Sequence, residues 1–403
     1  MKKKKQSRFA YGIVRFASGF VSRLIFKRKY LRNELKGKKG PIVVIANHEC
    51  SLDFMNLIGV TREMMTFTIS RSYYDTLSNR AIVDKLGMIP KQQFQSSVKD
   101  VAKMTGAIKR NKILVIFPAG LMTEDGKSTP VPETTYKFLK FLNSDVYVAK
   151  SIGTYFNNPK WGKGLRKGRS YLDVYRLFSK EELAQASDEE AKIKVKEALD
   201  FDAYEDQEKY LVKYKKADQV EGLQNVLYKC PNCGEEYSIT VLDKHTLGCK
   251  KCGYQERADK YGFLHNDKGL GKEYRHVSKW SKFIYDDLKE KIISGIDDCI
   301  SIDAKIQMID YGKHEFVDVG EGKITLDSKD FIIDGTIKGE NKTITVETTK
   351  FASLPFKPGK FFEIQHGDDI YRCFPKENPV IVMKIINMVK IFYELSTEGK
   401  KSE

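Results

Sequence analysis

The chain has 403 residues, of which 41% are hydrophobic and 11% are aromatic. This composition can fill the cores of several domains and excludes a globally disordered chain. The formal net charge is +16, but residues 1–40 hold 14 Lys or Arg and a single acidic residue, Glu34, so this segment alone carries +13. A basic charge confined to one end favours a tether to an anionic surface over a globally basic nucleic-acid-binding protein.

The basic segment also contains an apolar pattern with helical spacing. Arg8, Arg15 and Arg23 interrupt it, which excludes a membrane-spanning helix and the unbroken apolar core of a signal peptide. We expect residues 1–40 to form an amphipathic segment that lies on the cytoplasmic face of the cell membrane, which would make the protein peripheral. A solvated tail followed by a helix that packs on the next domain is the alternative. The apolar positions are Phe9, Ile13, Phe16, Phe20 and Leu24.

Residues 41–220 alternate between short apolar runs and stretches with helical spacing. Such alternation predicts an α/β domain in which a mixed sheet is flanked by helices. The Glu-, Lys- and Ala-rich stretch 180–220 is expected to form exposed helices. The predicted strands are 41–46, 113–117, 146–149 and 170–174, and the predicted helices between the first two are 73–86 and 96–110.

Four cysteines follow the spacing of a zinc ribbon. Cys230 and Cys233 form one pair, Cys249 and Cys252 form another, and fifteen residues separate the pairs. Four thiolates complete a closed tetrahedral site, so we predict a structural zinc ion in a ribbon at residues 221–262. Two disulfides are the alternative. Zinc ribbons also bind nucleic acids, but this segment is nearly charge-balanced, so a nucleic-acid partner is not expected.

Residues 263–403 are predicted to form a linking helix and a small β-rich domain that ends in a helix. Strands followed by one terminal helix are the arrangement of PH-like or GRAM-like domains, although a β-rich module that only packs on its neighbour has the same texture. The linking helix is expected at 278–293, the strands at 323–326, 331–333, 343–346 and 361–364, and the terminal helix at 379–394.

Candidate catalytic residues come directly after the first predicted strand, in the run Asn-His-Glu-Cys-Ser-Leu-Asp from Asn47 to Asp53. Ligand sites of α/β sheets gather at this carboxyl edge. The second strand runs into a Phe-Pro-Ala-Gly turn at residues 117–120, which would bring backbone amides to the same edge. His48 and Asp53 are therefore the candidate catalytic pair.

These motifs resemble the glycerol-phosphate and lysophosphatidate acyltransferase family, whose first block contains Asn-His followed by Asp and whose third block is Phe-Pro-Glu-Gly. The resemblance covers residues 41–185, with Leu86–Pro90 similar to the second block and Val146–Gly153 similar to the fourth. It implies an enzyme of phospholipid biosynthesis. The implied reaction moves a fatty acyl group from acyl-CoA or acyl-carrier protein to the hydroxyl of a lysophospholipid such as 1-acyl-sn-glycerol-3-phosphate.

The chemistry expected of the pair is general-base catalysis. An alcohol is a weak nucleophile near neutral pH, so His48 would remove the proton of the acceptor hydroxyl as it attacks the thioester. Asp53 would hold the imidazole in the required tautomer and stabilise its charged form. The nucleophile belongs to the substrate, so we predict direct transfer without an acyl-enzyme. Ser51 is expected to cap the helix that carries Asp53.

The acceptor phosphate requires cations or oriented amides. The sequence departs from the family here, because Gln93 stands where the second block has Arg, and Ala119 and Met122 stand where the third block has Glu and Arg. These departures leave the acceptor open and motivate the rival hypothesis of a non-enzymatic lipid-binding scaffold. The candidate substrate-binding residues are Asn47, Arg71, Lys91, Phe117, Pro118 and Gly120.

Overall fold

The computed structural model describes residues 6–94 and 97–402, with backbone only for 399–402. The first four lysines of the basic tail and the start of the predicted helix 96–110 lie outside the described residues. The chain divides into two units. The first contains Met1–Tyr74, Asn79–Ala217 and Lys260–Gly262, and the second contains Asp75–Ser78, Asp218–Asp259 and Phe263–Glu403.

The first unit is built on a seven-stranded mixed sheet with the strand order β1-β7-β6-β2-β5-β3-β4. Only the pairing of β6 with β7 is antiparallel. Its elements are α1 (Arg8–Leu24), β1 (Lys29–Asn33), β2 (Ile42–Ala46), α2 (Asp53–Leu57), β3 (Met65–Ser70), α3 (Arg71–Asp75), α4 (Arg80–Leu86), β4 (Ile89–Lys91), α5 (Val98–Lys109), β5 (Ile113–Ile116), α6 (Thr134–Leu142), β6 (Asp145–Ile152), α7 (Thr154–Asn157), β7 (Tyr171–Phe178), α8 (Lys180–Gln185), α9 (Asp188–Leu199) and α10 (Ala203–Tyr210).

Strand β2 shows why the first apolar run is continuous. Val43 and Ile45 belong to a core that contains residues of α5, α6 and α9. Val44 and Ala46 belong to a second core, on the other face, that contains residues of α1, α2 and α4. A central parallel strand covered on both faces carries apolar side chains at every position, because neither face meets solvent.

The α/β prediction is confirmed, with three corrections to the elements. The predicted helix 73–86 is two helices, because residues 76–79 are not helical between α3 and α4. The predicted helices of 180–220 end at Tyr210, where Leu211 takes a left-handed conformation with φ 45°. Strands β1, β3 and β4 were not predicted, because they are short or carry polar residues and therefore lack a clear apolar run.

Helix α1 packs on the first unit through one side and exposes another. The Ser7 side chain caps it by accepting a hydrogen bond from the amide of Ala10. Tyr11, Ser18 and Ser22 are buried against the domain. Among the described residues, no helix is long and apolar enough to cross a membrane. The predicted apolar stripe is exposed, at Phe9 (80%), Ile13 (55%), Phe16 (80%), Phe20 (60%) and Leu24 (47%).

The second unit contains two sheets. A four-stranded antiparallel sheet has the order β11-β10-β9-β8, and a seven-stranded antiparallel sheet has the order β15-β14-β13-β12-β18-β17-β16. The elements are β8 (Ile239–Val241), β9 (Thr246–Cys249), β10 (Gln255–Ala258), β11 (Leu264–His265), α11 (Val277–Ile293), β12 (Ile300–Asp310), β13 (Glu315–Leu326), β14 (Asp330–Ile337), β15 (Glu340–Glu347), β16 (Phe356–Lys357), β17 (Phe361–His366), β18 (Asp369–Pro375) and α12 (Val382–Ser402).

The β-rich sheet of the predicted carboxyl-terminal region is present, and so are the linking helix and the closing helix. The four predicted runs lie within β13, β14, β15 and β17, whereas β12 and β18 were not predicted. These two strands pair with each other near the middle of the sheet. The PH-like or GRAM-like assignment and the proposed domain boundaries stay predictions.

Candidate active site

The site lies at the carboxyl edge of the first unit's sheet, where β2 ends. Asn47 follows β2 and is 3% exposed. Its side-chain amide donates to the Ser151 carbonyl at 2.8 Å, and its side-chain oxygen accepts from the Ser151 amide at 2.8 Å. Both polar ends of Asn47 therefore bind the backbone of β6 and fix the loop that carries His48. A substrate contact by Asn47 stays a prediction.

His48 and Asp53 are in direct contact. The imidazole Nδ1 lies 2.9 Å from Asp53 Oδ2, and the Asp53 side chain is fully buried while His48 is 22% exposed. Oδ2 also accepts from the backbone amides of Glu49 and Cys50, at 2.8 and 2.9 Å. Hydrogen bonds to an ionised carboxylate are strong and stabilise its charge. The contact at Nδ1 leaves Nε2 as the ring nitrogen that can accept a proton.

Phe117, which follows β5, packs against the His48 ring. The two ring centroids are 4.6 Å apart with a tilt of 33°. The His48 carbonyl accepts from the Thr123 amide at 3.1 Å. The ring and the backbone of His48 are thus both held by the loop after β5, so the imidazole has little freedom to turn away from Asp53. The structure brings the predicted first and third motifs together.

A buried polar cluster lies behind Asp53. Thr154 Oγ1 is 2.8 Å from Asp53 Oδ1 and 2.9 Å from Glu49 Oε2. Burial, together with the negative charge of Asp53, raises the pKa of Glu49 to about 8. The Thr154 hydroxyl is within donating distance of both carboxyl groups, and Glu49 Oε2 also accepts from the Tyr155 amide at 2.9 Å. Through its contact with Asp53, Thr154 orients the carboxylate that holds His48.

The expected cap by Ser51 is wrong. Helix α2 begins at Asp53 with Leu52 as its N-cap residue, and no side chain caps it. The Ser51 hydroxyl instead donates to Asn158 Oδ1 at 2.7 Å. Because the Asp53 carboxylate already binds the amides of Glu49 and Cys50 in the preceding turn, the loop is held without a serine cap. Among the hydrogen bonds of the described residues, none joins Ser51 to His48 and would activate it as a nucleophile.

The Phe-Pro-Ala-Gly turn adjoins the second motif. Gly120 has φ +72°, a conformation that favours glycine, and its amide donates to the Phe117 carbonyl at 3.0 Å. Gln93, which stands at the family's arginine position, donates from Nε2 to the Gly120 carbonyl at 2.5 Å. Its side-chain oxygen accepts from Ser70 Oγ at 2.9 Å. Gln93 therefore braces the turn. Pro118 lies within the turn, and its substrate contact stays a prediction.

The two predicted cations lie at the same sheet edge, on the strands furthest from β6. Arg71 follows β3, and Lys91 ends β4 opposite Ser70. Burial lowers the pKa of Lys91. Sequence analysis missed a third cation, Lys160, which is 6% exposed and has its Nζ 3.5 Å from the Met122 carbonyl. Lys160 thus brings a positive charge to the third block, where the family's arginine is replaced by Met122.

In the second unit, the four predicted cysteine ligands converge. Their sulfur atoms all lie within 4.8 Å of one another. Sγ of Cys230 is 3.6 Å from Sγ of Cys252, and Sγ of Cys233 is 3.7 Å from Sγ of Cys249. A tetrahedron with Zn–S bonds of about 2.3 Å has sulfur edges of about 3.8 Å, so the set fits one zinc ion. The separations are too long for disulfide bonds.

The fold and the site together define an α/β protein with a histidine–carboxylate pair at a sheet edge. Residues 27–156 match the model of the family described as Acyltransferase. Apart from residues 75–78, the matched residues lie in the first unit, and they include His48 and Asp53. No curated protein matches the chain.

Two solved structures show partial likeness to the chain. The 1-acyl-sn-glycerophosphate acyltransferase PlsC from Thermotoga maritima has a TM-score of 0.41 and 16% identity, over 49% of this chain and 78% of that chain. The Ran-binding domain of the nuclear complex component Nup2 from Ashbya gossypii has a TM-score of 0.20 and 11% identity, over 24% of this chain and 97% of that chain. Both TM-scores are too low to identify a function.

Proposed function

We propose that the chain moves a fatty acyl group from acyl-CoA or acyl-carrier protein to the hydroxyl of a lysophospholipid, with 1-acyl-sn-glycerol-3-phosphate as the first acceptor to test. The carrying observation is the His48–Asp53 contact at 2.9 Å, in which Nε2 is left to accept a proton. His48 removes the hydroxyl proton while the oxygen attacks the thioester carbonyl. The C–S bond then breaks, and the imidazolium returns the proton to the leaving thiolate, which departs as the free thiol.

The pair acts without a protein nucleophile. Ser51 binds Asn158, and the Cys50 thiol is fully buried and contacts Asp53 Oδ1 at 3.4 Å. Burial raises the pKa of the Cys50 thiol, which keeps it in the unreactive protonated form. Transfer therefore proceeds directly between the two bound substrates, and no acyl-enzyme forms.

The phosphate of the acceptor would be held by basic side chains at the same edge. Arg71 and Lys91 follow neighbouring strands, and Lys160 lies beside the loop after β5. These three cations replace the family's arginines, which are absent at positions 93 and 122. The proposed location of the protein is the cytoplasmic face of the membrane, as a peripheral protein. This location is supported by the exposed apolar stripe of α1, which lies between basic residues that attract anionic lipid.

The cysteine cluster is proposed to hold a structural zinc ion. Four cysteine ligands leave no open coordination position for a substrate, so the ion stabilises the fold of residues 221–262 and takes no part in acyl transfer.

The test is a mass-resolved assay of the purified protein with labelled acyl donor and a panel of lysolipids. We expect the wild type to acylate a phosphate-bearing lysolipid, and His48→Ala to lose about 10³-fold in kcat/KM while it keeps its lipid binding. His366→Ala, at an exposed histidine of the second unit, is the matched control. A wild type that binds lysolipids but acylates none of them would support the lipid-binding scaffold instead.

A further inference from the structure

A pocket lies at the edge of the first unit's sheet opposite to His48. Its volume is about 380 Å³, and its lining includes Gly40, Met64 and Lys112, which lie just before β2, β3 and β5. These three strands run parallel, so the pocket is at their amino edge, whereas His48 follows the carboxyl end of β2. Five residues of β2 separate the two edges by roughly 16 Å.

The pocket is strongly basic. Arg8, Arg15, Arg62 and Lys112 line it, with Glu63 as the single carboxylate of the lining. In the part of the chain that the structure describes, none of the four cations forms an ion pair with a carboxylate. Cations gathered in a concave site attract an anion, and guanidinium groups match the geometry of phosphate oxygens. The volume is in the range of small-molecule sites.

The walls of the pocket are held together before any ligand binds. Arg15 Nη1 donates to the Arg62 carbonyl at 3.0 Å, and the Tyr11 hydroxyl accepts from the Met65 amide at 3.0 Å. Burial raises the pKa of Tyr11 to about 12, so the Tyr11 hydroxyl stays protonated and adds no negative charge to the pocket. The hydrogen bonds fix α1 to the segment before β3, and a ligand binds without ordering these elements first.

The exposed apolar stripe of α1 runs beside the pocket. Arg8, Gly12 and Arg15 line the pocket, and each is followed in sequence by an exposed apolar residue: Phe9, Ile13 and Phe16. On a helix, consecutive residues are about 100° apart, so the basic and apolar stripes are neighbours on one surface. A ligand with a negative headgroup joined to an apolar tail matches both.

We propose that this pocket binds the phosphate headgroup of an anionic phospholipid, with Phe9, Ile13 and Phe16 at the boundary of its acyl chains. It is distinct from the acceptor site, because only a few bonds join the hydroxyl and phosphate of a lysophospholipid and they do not span the length of β2. The proposal extends the proposed membrane location and is independent of the proposed chemistry. The pocket would be a defined lipid-binding site, in contrast to non-specific attraction between basic residues and anionic lipid.

The test is co-sedimentation of the full chain with phosphatidylcholine vesicles with and without phosphatidic acid. Arg62→Gln combined with Lys112→Gln should weaken binding to the anionic vesicles by at least about tenfold. The matched control is Lys180→Gln combined with Lys196→Gln, which removes the same charge from exposed sites outside the pocket. Equal losses in the two double variants would show diffuse attraction and overturn the pocket.

Two further variants separate occupancy of the pocket from charge. A Cβ at Gly12 would meet no heavy atom within 4 Å, so Gly12→Leu is accommodated by the helix and places a side chain at the pocket lining. It should weaken anionic-vesicle binding severalfold without a change of charge. Glu63→Gln removes the single carboxylate of the lining and should strengthen binding. A Gly12→Leu variant that binds as the wild type does would contradict a headgroup inside the pocket.

A soluble phosphate compound is the other source of the same chemistry. Calorimetric titration with inorganic phosphate and with glycerol 3-phosphate tests this alternative. The lipid assignment would be overturned if the Arg62/Lys112 variant lost binding of either compound but bound vesicles as the wild type does. His48→Ala should bind vesicles as the wild type does. Pocket-dependent vesicle binding without acyl transfer would refute only the proposed function, whereas acyl transfer with pocket-independent binding would refute only the pocket.

Discussion

The two chemical centres of this chain stabilise negative charge in opposite ways. The Asp53 carboxylate receives hydrogen bonds from His48, from the backbone of Glu49 and Cys50, and from Thr154. The four cysteines of the second unit place sulfur atoms 3.6 to 3.7 Å apart, with side-chain contacts from Asn232 to Cys252 and between Ser238 and Cys249. Four thiolates at that distance repel one another unless a cation joins them.

The difference explains how each centre is built from the sequence. A buried carboxylate that has only protein partners needs hydrogen-bond donors that the fold brings close to it. Thr154, for example, donates to Asp53 although the two residues are 101 positions apart. A metal cluster obtains its stability from the ion, so two short Cys-x-x-Cys turns are sufficient. The first centre therefore depends on the packing of the whole sheet, whereas the second would depend on the zinc ion that we propose for it.

Metal removal should have the largest effect on stability. If stability did not change, the contrast between the Asp53 centre and the cysteine cluster would fail. Chelation of a protein that contains one zinc per chain is expected to cost the second unit on the order of 10 kcal/mol and to unfold residues 221–262, with little direct effect on kcat. Hydrogen exchange and metal analysis measure this. Cys249→Ser should behave like the chelated protein, and Cys299→Ser, at an exposed cysteine outside the cluster, like the wild type. A metal-free protein of unchanged stability would contradict the prediction.

Asp53→Asn should have the next largest effect. The amide keeps the shape of the side chain but loses the charge that stabilises the imidazolium, so we expect kcat to fall about 10³- to 10⁴-fold. Steady-state kinetics with a phosphate-bearing lysolipid measure it, and circular dichroism checks the fold. A loss below tenfold would show that Asp53 is structural and that the pair is not the catalytic base.

Glu49→Gln sharpens the comparison through pH. The pKa of Glu49 in the folded protein, about 8, is above its ordinary value of 4.5. The stability that the protonated Glu49 contributes to the fold is therefore fully present below about pH 4.5 and is lost as the pH rises toward 8. Glutamine does not titrate, so the free energy of unfolding of the variant, relative to that of the wild type, should rise by a few kcal/mol between pH 5 and pH 9. Thermal unfolding across this range measures it. Parallel pH profiles for the two proteins would refute a neutral Glu49.

Thr154→Val should have the smallest effect. It removes one donor to a buried carboxylate, which costs about 1–3 kcal/mol of stability and, through a less firmly held His48, lowers kcat by roughly tenfold. Thr154→Ser retains the hydroxyl and should restore most of both values. If valine and serine behave alike, the threonine only fills space behind Asp53.

The sequence by itself determined the features whose partners are close along the chain. Asn47–Asp53 directly after an apolar strand, the Phe-Pro-Ala-Gly turn and the two cysteine pairs could be read locally, because a strand, a tight turn and a Cys-x-x-Cys loop each depend on a few adjacent residues. The α/β class followed from alternating periodicity for the same reason. The apolar stripe of α1 was also predicted from its spacing, and it is exposed.

Tertiary structure alone decided which distant residues complete the sites. Thr154 joins Asp53, Gln93 braces Gly120, and Lys160 reaches the loop after β5, yet no spacing pattern links these positions. The amino-edge pocket likewise unites α1 with the segments before three strands. Strand order and helix packing bring these residues together, and they are fixed by the burial of apolar faces across the whole sheet, which is a property of the folded chain and not of any local segment.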